Sequence, residues 1–217
     1  MRLERWTGIA GLVLLATVIG GIVFETMGPN LSQTPQQMHD SFKNANGAVM
    51  AAGAILLVQK VLIVLFAAGL ATLVARGEKE PLLSRVVLAG GILQVAITMI
   101  YVATYVAVAS VIDQLSVPIV FGLFTVGDSM DVAGDAFLGM MFAGAGYGLA
   151  RAGVLPRWIG RFGLIAGVLL MLGSFSLLSP QGFFTALPMY LGVLLALVWL
   201  LVANIALIRV RPPLARA

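Results

Sequence analysis

Six apolar stretches, each close to the roughly 20 residues a helix needs to cross bilayer hydrocarbon, decide what this chain can fold into. They run from Trp6 to Met27, Ala48 to Ala75, Val86 to Ile112, Val132 to Ala150, Trp158 to Ser179 and Pro188 to Ile208. In water they would expose far more contiguous apolar surface than the few hundred Å² that soluble monomers tolerate. Only 10% of the 217 residues are charged, where soluble domains have about a quarter, and the mean hydropathy is +1.05. The expected fold class is all-α: a polytopic membrane helix bundle of six transmembrane helices, with the lipid bilayer as its solvent. Nothing is left over for a soluble domain, so residues 1–217 are expected to form one integral membrane domain. Arg2 and Arg5 give the first stretch the positive start of a signal peptide. Its apolar run is long, however, and no small-x-small cleavage site follows Phe24, so a retained helix is expected.

The basic residues sort by loop. Arg2 and Arg5 precede the first span, and Arg76, Lys79 and Arg85 join the second to the third. Arg151, Arg157 and Arg161 surround the junction of spans four and five, and Arg209, Arg211 and Arg216 end the chain. In a six-span chain all four groups fall on one side, and the other side has only Lys43 in its loops. Positive charge gathers on the cytoplasmic side, so both termini are expected inside. The same sorting accounts for the net charge of +4 and the pI near 9.9 without nucleic acid as a partner. Arg exceeds Lys, and Ala, Gly and Val dominate, a composition associated with GC-rich bacteria; the expected location is the bacterial inner membrane.

The external connections differ from one another. Gly28 to Gly47 is long and rich in Pro, Gln and Asn. Asp113 to Asp131 is mostly apolar, and length alone leaves two readings open: an interfacial helix, or an outward extension of span four. Pro180 to Leu187 is a short turn with Pro180 and Gly182. Gly144 with Gly148, and Gly163 with Gly167, form G-x-x-x-G pairs that let helix backbones approach closely. They serve packing within one bundle or, alternatively, a homodimer.

The segment Gly153 to Leu169 couples a small-residue helix end to Leu155-Pro156-Arg157-Trp158 and a glycine-rich span. It resembles a family of small six-span bacterial membrane proteins, the domain of unknown function numbered 4386. The resemblance implies architecture and no catalytic residues. Each residue of the motif also has a plain physical role: Pro starts a helix, Arg faces the cytoplasm, and Trp sits in the interfacial belt.

Ionisable residues inside hydrocarbon are costly and mark candidate sites. Lys60, Asp135 and Tyr101 each lie sixteen residues from a basic anchor, Arg76, Arg151 and Arg85, or about 24 Å up a helix. Glu25, Tyr105 and Asp131 each lie twenty residues from theirs, about 30 Å up. Gln94, Thr98, Tyr101 and Tyr105 share a helical face, as do Asp128, Asp131 and Asp135 if that stretch is helical. One reading is a polar cavity in the outer half, open to the exterior and lined by spans one to four. In it Lys60 pairs with Asp135, with Asp131, Asp128, Tyr101, Tyr105 and Glu25 around them. The other reading has Asp128 and Asp131 solvated or capping a helix, Lys60 snorkelling to headgroups and the tyrosines in the aromatic belt.

Catalytic and cofactor templates are missing: no H-E-x-x-H, G-x-S-x-G, P-loop or buried His pair for haem. No cysteine is present. His39 with Asp40 and Glu25 falls short of a convincing metal set, since a site takes three or four ligands, so a solvated loop histidine and no metal are expected. Two function classes remain. A non-catalytic accessory or structural membrane protein, partnering other membrane proteins, is favoured, because few polar groups lie below the outer layer. The alternative is a small transporter, channel or sensor using the outer cavity.

Overall fold

The computed structural model describes residues 3–78, 81–177 and 183–210. Six of its helices are long and apolar enough to cross a membrane. The first is α1 (Leu3–Glu25); a short α2 (Pro35–Asn44) follows, then α3 (Asn46–Ala75), α4 (Leu82–Ser110), α5 (Val117–Arg151), α6 (Arg157–Gly173) and α7 (Phe183–Arg209). Every backbone polar group inside a bilayer must be satisfied within its own segment, which is why apolar runs this long become helices. The helices pack in a closed ring, α1–α3–α4–α5–α6–α7 and back to α1, with α3 also touching α5 across the middle.

The basic connections gather at one end of the bundle. Arg76, at the end of α3, forms an ion pair with Glu4 at the start of α1. A Cβ on Gly77 would stand 2.6 Å from Ala152, in the turn between α5 and α6. Arg2, Lys79, Arg211 and Arg216, and the turn residues Pro180 and Gly182, lie outside the described residues.

Helix α5 has 35 residues, about 52 Å, against a hydrocarbon thickness near 30 Å. The Asp113–Asp131 segment is therefore no separate interfacial helix. After one 3-10 turn (Ile112–Gln114) it becomes the outward extension of span four. Pro118 falls in the first turn of α5, where its missing N–H costs nothing.

Helix α2 sits at the opposite end from the arginines and was not signalled by hydropathy. Its start is a capping box: Thr34 Oγ1 accepts from the Gln37 N–H, and the Gln37 side chain accepts from the Thr34 N–H. Met38 and Phe42, one turn apart, are fully buried beneath it.

The G-x-x-x-G pairs are used within the bundle. Gly144 and Gly148 face Val87 and Val74, while Gly163 and Gly167 face Trp199 and the backbone of α5. Gly146 shows why: a Cβ there would stand 2.6 Å from the Gly160 carbonyl oxygen, so α5 and α6 touch backbone to backbone. The buried side chains fall into two apolar clusters. One fills the arginine end around Phe66, Leu70, Phe142 and Trp199. The other lies under α2 around Phe42, Tyr105 and Phe124.

Candidate functional site

A cavity of about 340 Å³ lies in the half of the bundle away from the arginines. That volume is at the small end of ligand pockets. Its polar lining comes from four helices: Glu25 from α1, Gln59 and Lys60 from α3, Gln94 from α4, and Asp128, Asp131 and Asp135 from α5. The steps of three and four between the aspartates put all three on one face of α5, which continues unbroken through them. The cavity also has a wall the sequence reading omitted. Met189, Val193, Ala196, Leu197 and Leu200 of α7 complete it, so spans one to four do not line it alone.

Lys60 is buried and turned inward, 4% exposed, so it does not snorkel into lipid. Its ammonium lies 4.0 Å from Asp131 Oδ1. The contact at ion-pair distance is with Asp131, one turn further from the arginine end than Asp135, and Asp135, the expected partner, lines the same cavity. The direction of the shift is physical. Cβ bonds tilt toward the helix N-terminus in α3 and α5 alike, and the longer lysine side chain carries its ammonium further toward that end. The Asp131 side chain keeps 44% of its exposure, so its carboxylate faces the open space.

Glu25 accepts a hydrogen bond from the Tyr101 hydroxyl at 3.0 Å. Tyr101 and Tyr105 are buried and not in an interfacial belt. Neither lines the cavity; they stand behind Glu25. Their rings are 5.5 Å apart, and Phe42 of α2 packs on Tyr105 and Phe124, each at 5.7 Å. An aromatic stack thus links the α2 cap to the carboxylate at the cavity edge. The legible signals for this missed element were Thr34-Pro35-Gln36-Gln37 and the Met38/Phe42 spacing.

Gln94 lines the cavity, is 4% exposed, and its Oε1 has no hydrogen-bond partner among the described residues. The site therefore gathers four carboxylates, one ammonium and one unsatisfied amide oxygen. Carboxyl groups and acceptors predominate, which suits hydrogen-bond-donating or positively charged groups. The floor is closed by Leu14, Ile63, Phe142 and Leu200. Beneath it Trp199 packs on Phe142 at 5.2 Å and donates to the Ile159 carbonyl at 3.0 Å.

Two other sequence candidates lie elsewhere. His39 Nε2 is 3.3 Å from the Leu115 carbonyl oxygen and Nδ1 is 3.6 Å from Asp40. Among the described residues no group of His, Cys, Asp or Glu gathers as a metal site. Asn204 is buried between α7 and Gly11 of α1, near the arginine end, with Nδ2 donating to the Leu200 carbonyl.

A family model described as a domain of unknown function, DUF4386, matches residues 9–203. The comparisons with curated proteins and with solved structures each give no match.

Proposed function

We propose that this chain, which belongs to the DUF4386 family of proteins with a domain of unknown function, is a non-catalytic ligand-binding membrane protein that takes a small cationic group into its outer cavity. One observation carries the reading: Glu25, Asp128, Asp131 and Asp135 face a single counter-charge, Lys60, in one cavity with the unpartnered Gln94 Oε1. Uncompensated charge in a membrane interior is costly, and a bound cation relieves the imbalance. The apolar wall of α7 suits a ligand with a short aliphatic part, such as an alkylammonium ion. The arginine-rich connections at the opposite end support a cavity on the external side of a bacterial plasma membrane, by the positive-inside rule.

The alternative, an accessory or structural subunit, draws support from the opposite half. There the described apolar residues pack as one cluster around Phe66, Leu70, Phe142 and Trp199 and close the cavity floor. That seal argues against an open channel in this conformation and leaves binding as the step the cavity performs.

The test is a thermal-shift and calorimetry series on protein in nanodiscs, using sodium, potassium, calcium, ethylammonium and butylammonium ions. A saturable stabilisation by at least one of them, lost in Asp131→Asn with Asp135→Asn, is the expected result. Failure of every cation to bind saturably, or retained binding in the double variant, overturns the reading in favour of the accessory one.

A further inference from the structure

At the other end of the bundle, a second cavity of about 450 Å³ opens between α5 and α6. Its lining includes Tyr147 and Arg151 from α5, and Arg157, Arg161 and Leu164 from α6. The turn between the two helices builds it. Helix α5 ends in a Schellman motif: the Val154 N–H donates to the Leu149 carbonyl at 3.0 Å and the Gly153 N–H to the Ala150 carbonyl at 3.3 Å. Gly153 supplies the required left-handed residue, φ +69°. This tight reversal sets Arg157 beside Arg151, and Arg161, four residues on, shares the face of Arg157.

Three guanidinium groups thus surround one space, and no carboxylate among the described residues lies at ion-pair distance from any of them. Glu78, whose charge Arg151 influences, is occupied elsewhere: its oxygens accept from the Leu83 and Ser84 N–H groups at 2.7 and 3.1 Å. Like charges lining one space repel, an anion between them relieves the repulsion, and guanidinium forks match phosphate oxygens.

The cavity changes character with depth. Arg151 and Arg157 are at the helix ends. Tyr147 and Arg161 lie one turn in, about 6 Å, and Leu164 about 10 Å from Arg157. Tyr147 is 49% exposed and Trp158, beside Arg157, is 61% exposed. The bundle leaves those aromatic surfaces uncovered. A free phosphate would use the arginines and leave the apolar depth empty; a phospholipid uses both. A basic pocket between membrane helices is a recurring headgroup site.

We propose that this cavity binds the phosphate headgroup of an anionic phospholipid, with an acyl chain lying along Tyr147 and Leu164. The proposal is independent of the acidic cavity.

Native mass spectrometry of the full chain released from mild detergent tests it, with phosphatidylglycerol, phosphatidylcholine, and sn-glycerol-3-phosphate as probes. The expected result is one phosphatidylglycerol retained per chain with a preference of about tenfold over phosphatidylcholine. Arg157→Gln with Arg161→Gln should abolish the preference. Arg85→Gln, a control at the same end outside the cavity, should keep it. A thermal melt of each variant confirms folding, and Arg157→Lys with Arg161→Lys, which retains charge, should keep part of the preference if the glutamine variant melts early. Equal retention of the two lipids overturns the proposal. So does an equal loss in Arg85→Gln, which would mean diffuse attraction, or displacement of the lipid by sn-glycerol-3-phosphate at equal concentration, which would mean a free-phosphate site.

Discussion

The Lys60 ammonium and the Asp131 carboxylate meet at 4.0 Å across the gap between α3 and α5, in the wall of the acidic cavity. The contact is long for an ion pair, and Asp131 is half exposed to the cavity while Lys60 is buried. The two therefore contribute unequally: Lys60 has lost its water and depends on the carboxylates around it.

Lys60→Met should destabilise the protein in detergent more than Asp131→Asn, because it leaves four carboxylates with no counter-charge. In a double-mutant cycle the two changes should couple by about 1 kcal/mol or more. Lys60→Met with Asp135→Asn should couple more weakly. Equal coupling to both aspartates in thermal or denaturant unfolding would show that Lys60 is shared between them.

Removing the α2 anchor should uncover the second apolar cluster. Phe42 is fully buried against Tyr105 and Phe124. Phe42→Ala should cost about 3 kcal/mol, and Thr34→Ala, which breaks the capping box, about 1 kcal/mol. Hydrogen exchange over residues 35–44 should accelerate in both, more in Phe42→Ala. Unchanged exchange would mean that α2 is held by something other than Phe42.

These elements also mark what sequence could and could not reveal. The six spans were legible because each is a long apolar run, and a bilayer leaves such runs one regular solution. The sorting of arginines was legible because hydropathy fixes which connections share an end. The ends of α5 were not: Asp113 to Asp131 mixes Asp, Pro and apolar residues, so hydropathy lost the helix where the structure continues it. The meeting of Glu25, Lys60, Asp131 and Asp135 around one cavity was legible as a shared depth. Its pairing was not, because Asp131 and Asp135 differ by about 6 Å along α5, and a lysine side chain spans that range. The α7 wall was invisible because Val193 and Leu197 read like any lipid-facing residue.

The exposed bridge between Lys43 and Asp113, at 2.7 Å, gives α2 a pH dependence. The hydrogen bond from Lys43 holds the Asp113 carboxyl below its usual range, and the same bond raises Lys43. For the carboxylate, stability is present above its unfolded pKa and is lost as pH falls through the lowered folded one. For the amine, stability is present below its unfolded pKa and is lost as pH rises through the raised folded one. The bridge thus persists through neutral pH. Protection of α2 in hydrogen exchange, corrected for intrinsic rates, should fall on acidification below the ordinary Asp range. Lys43→Ala should remove this bridge's contribution to that fall and change neutral-pH stability little, since exposed pairs contribute little. An identical acid profile in Lys43→Ala would assign the transition to another carboxylate.

Asn204 tests the separation of the two halves. It is fully buried at the α1–α7 contact, where Gly11 gives it room, and its Oδ1 has no partner among the described residues while Nδ2 donates to the Leu200 carbonyl. It is five residues from Arg209, about 7.5 Å from that helix end, and it does not line the acidic cavity. A side-chain hydrogen bond within a membrane bundle contributes about 0.6 kcal/mol on average, and here one polar atom is already unsatisfied. Asn204→Ala should therefore lower the melting temperature only slightly, with the small void beside Gly11 as the remaining cost. Binding of whichever cation stabilises the parent protein should be unchanged in the same variant. A tenfold loss of that binding would mean that the α1–α7 contact controls the width of the cavity, and the seal below Phe142 would then be a moving part.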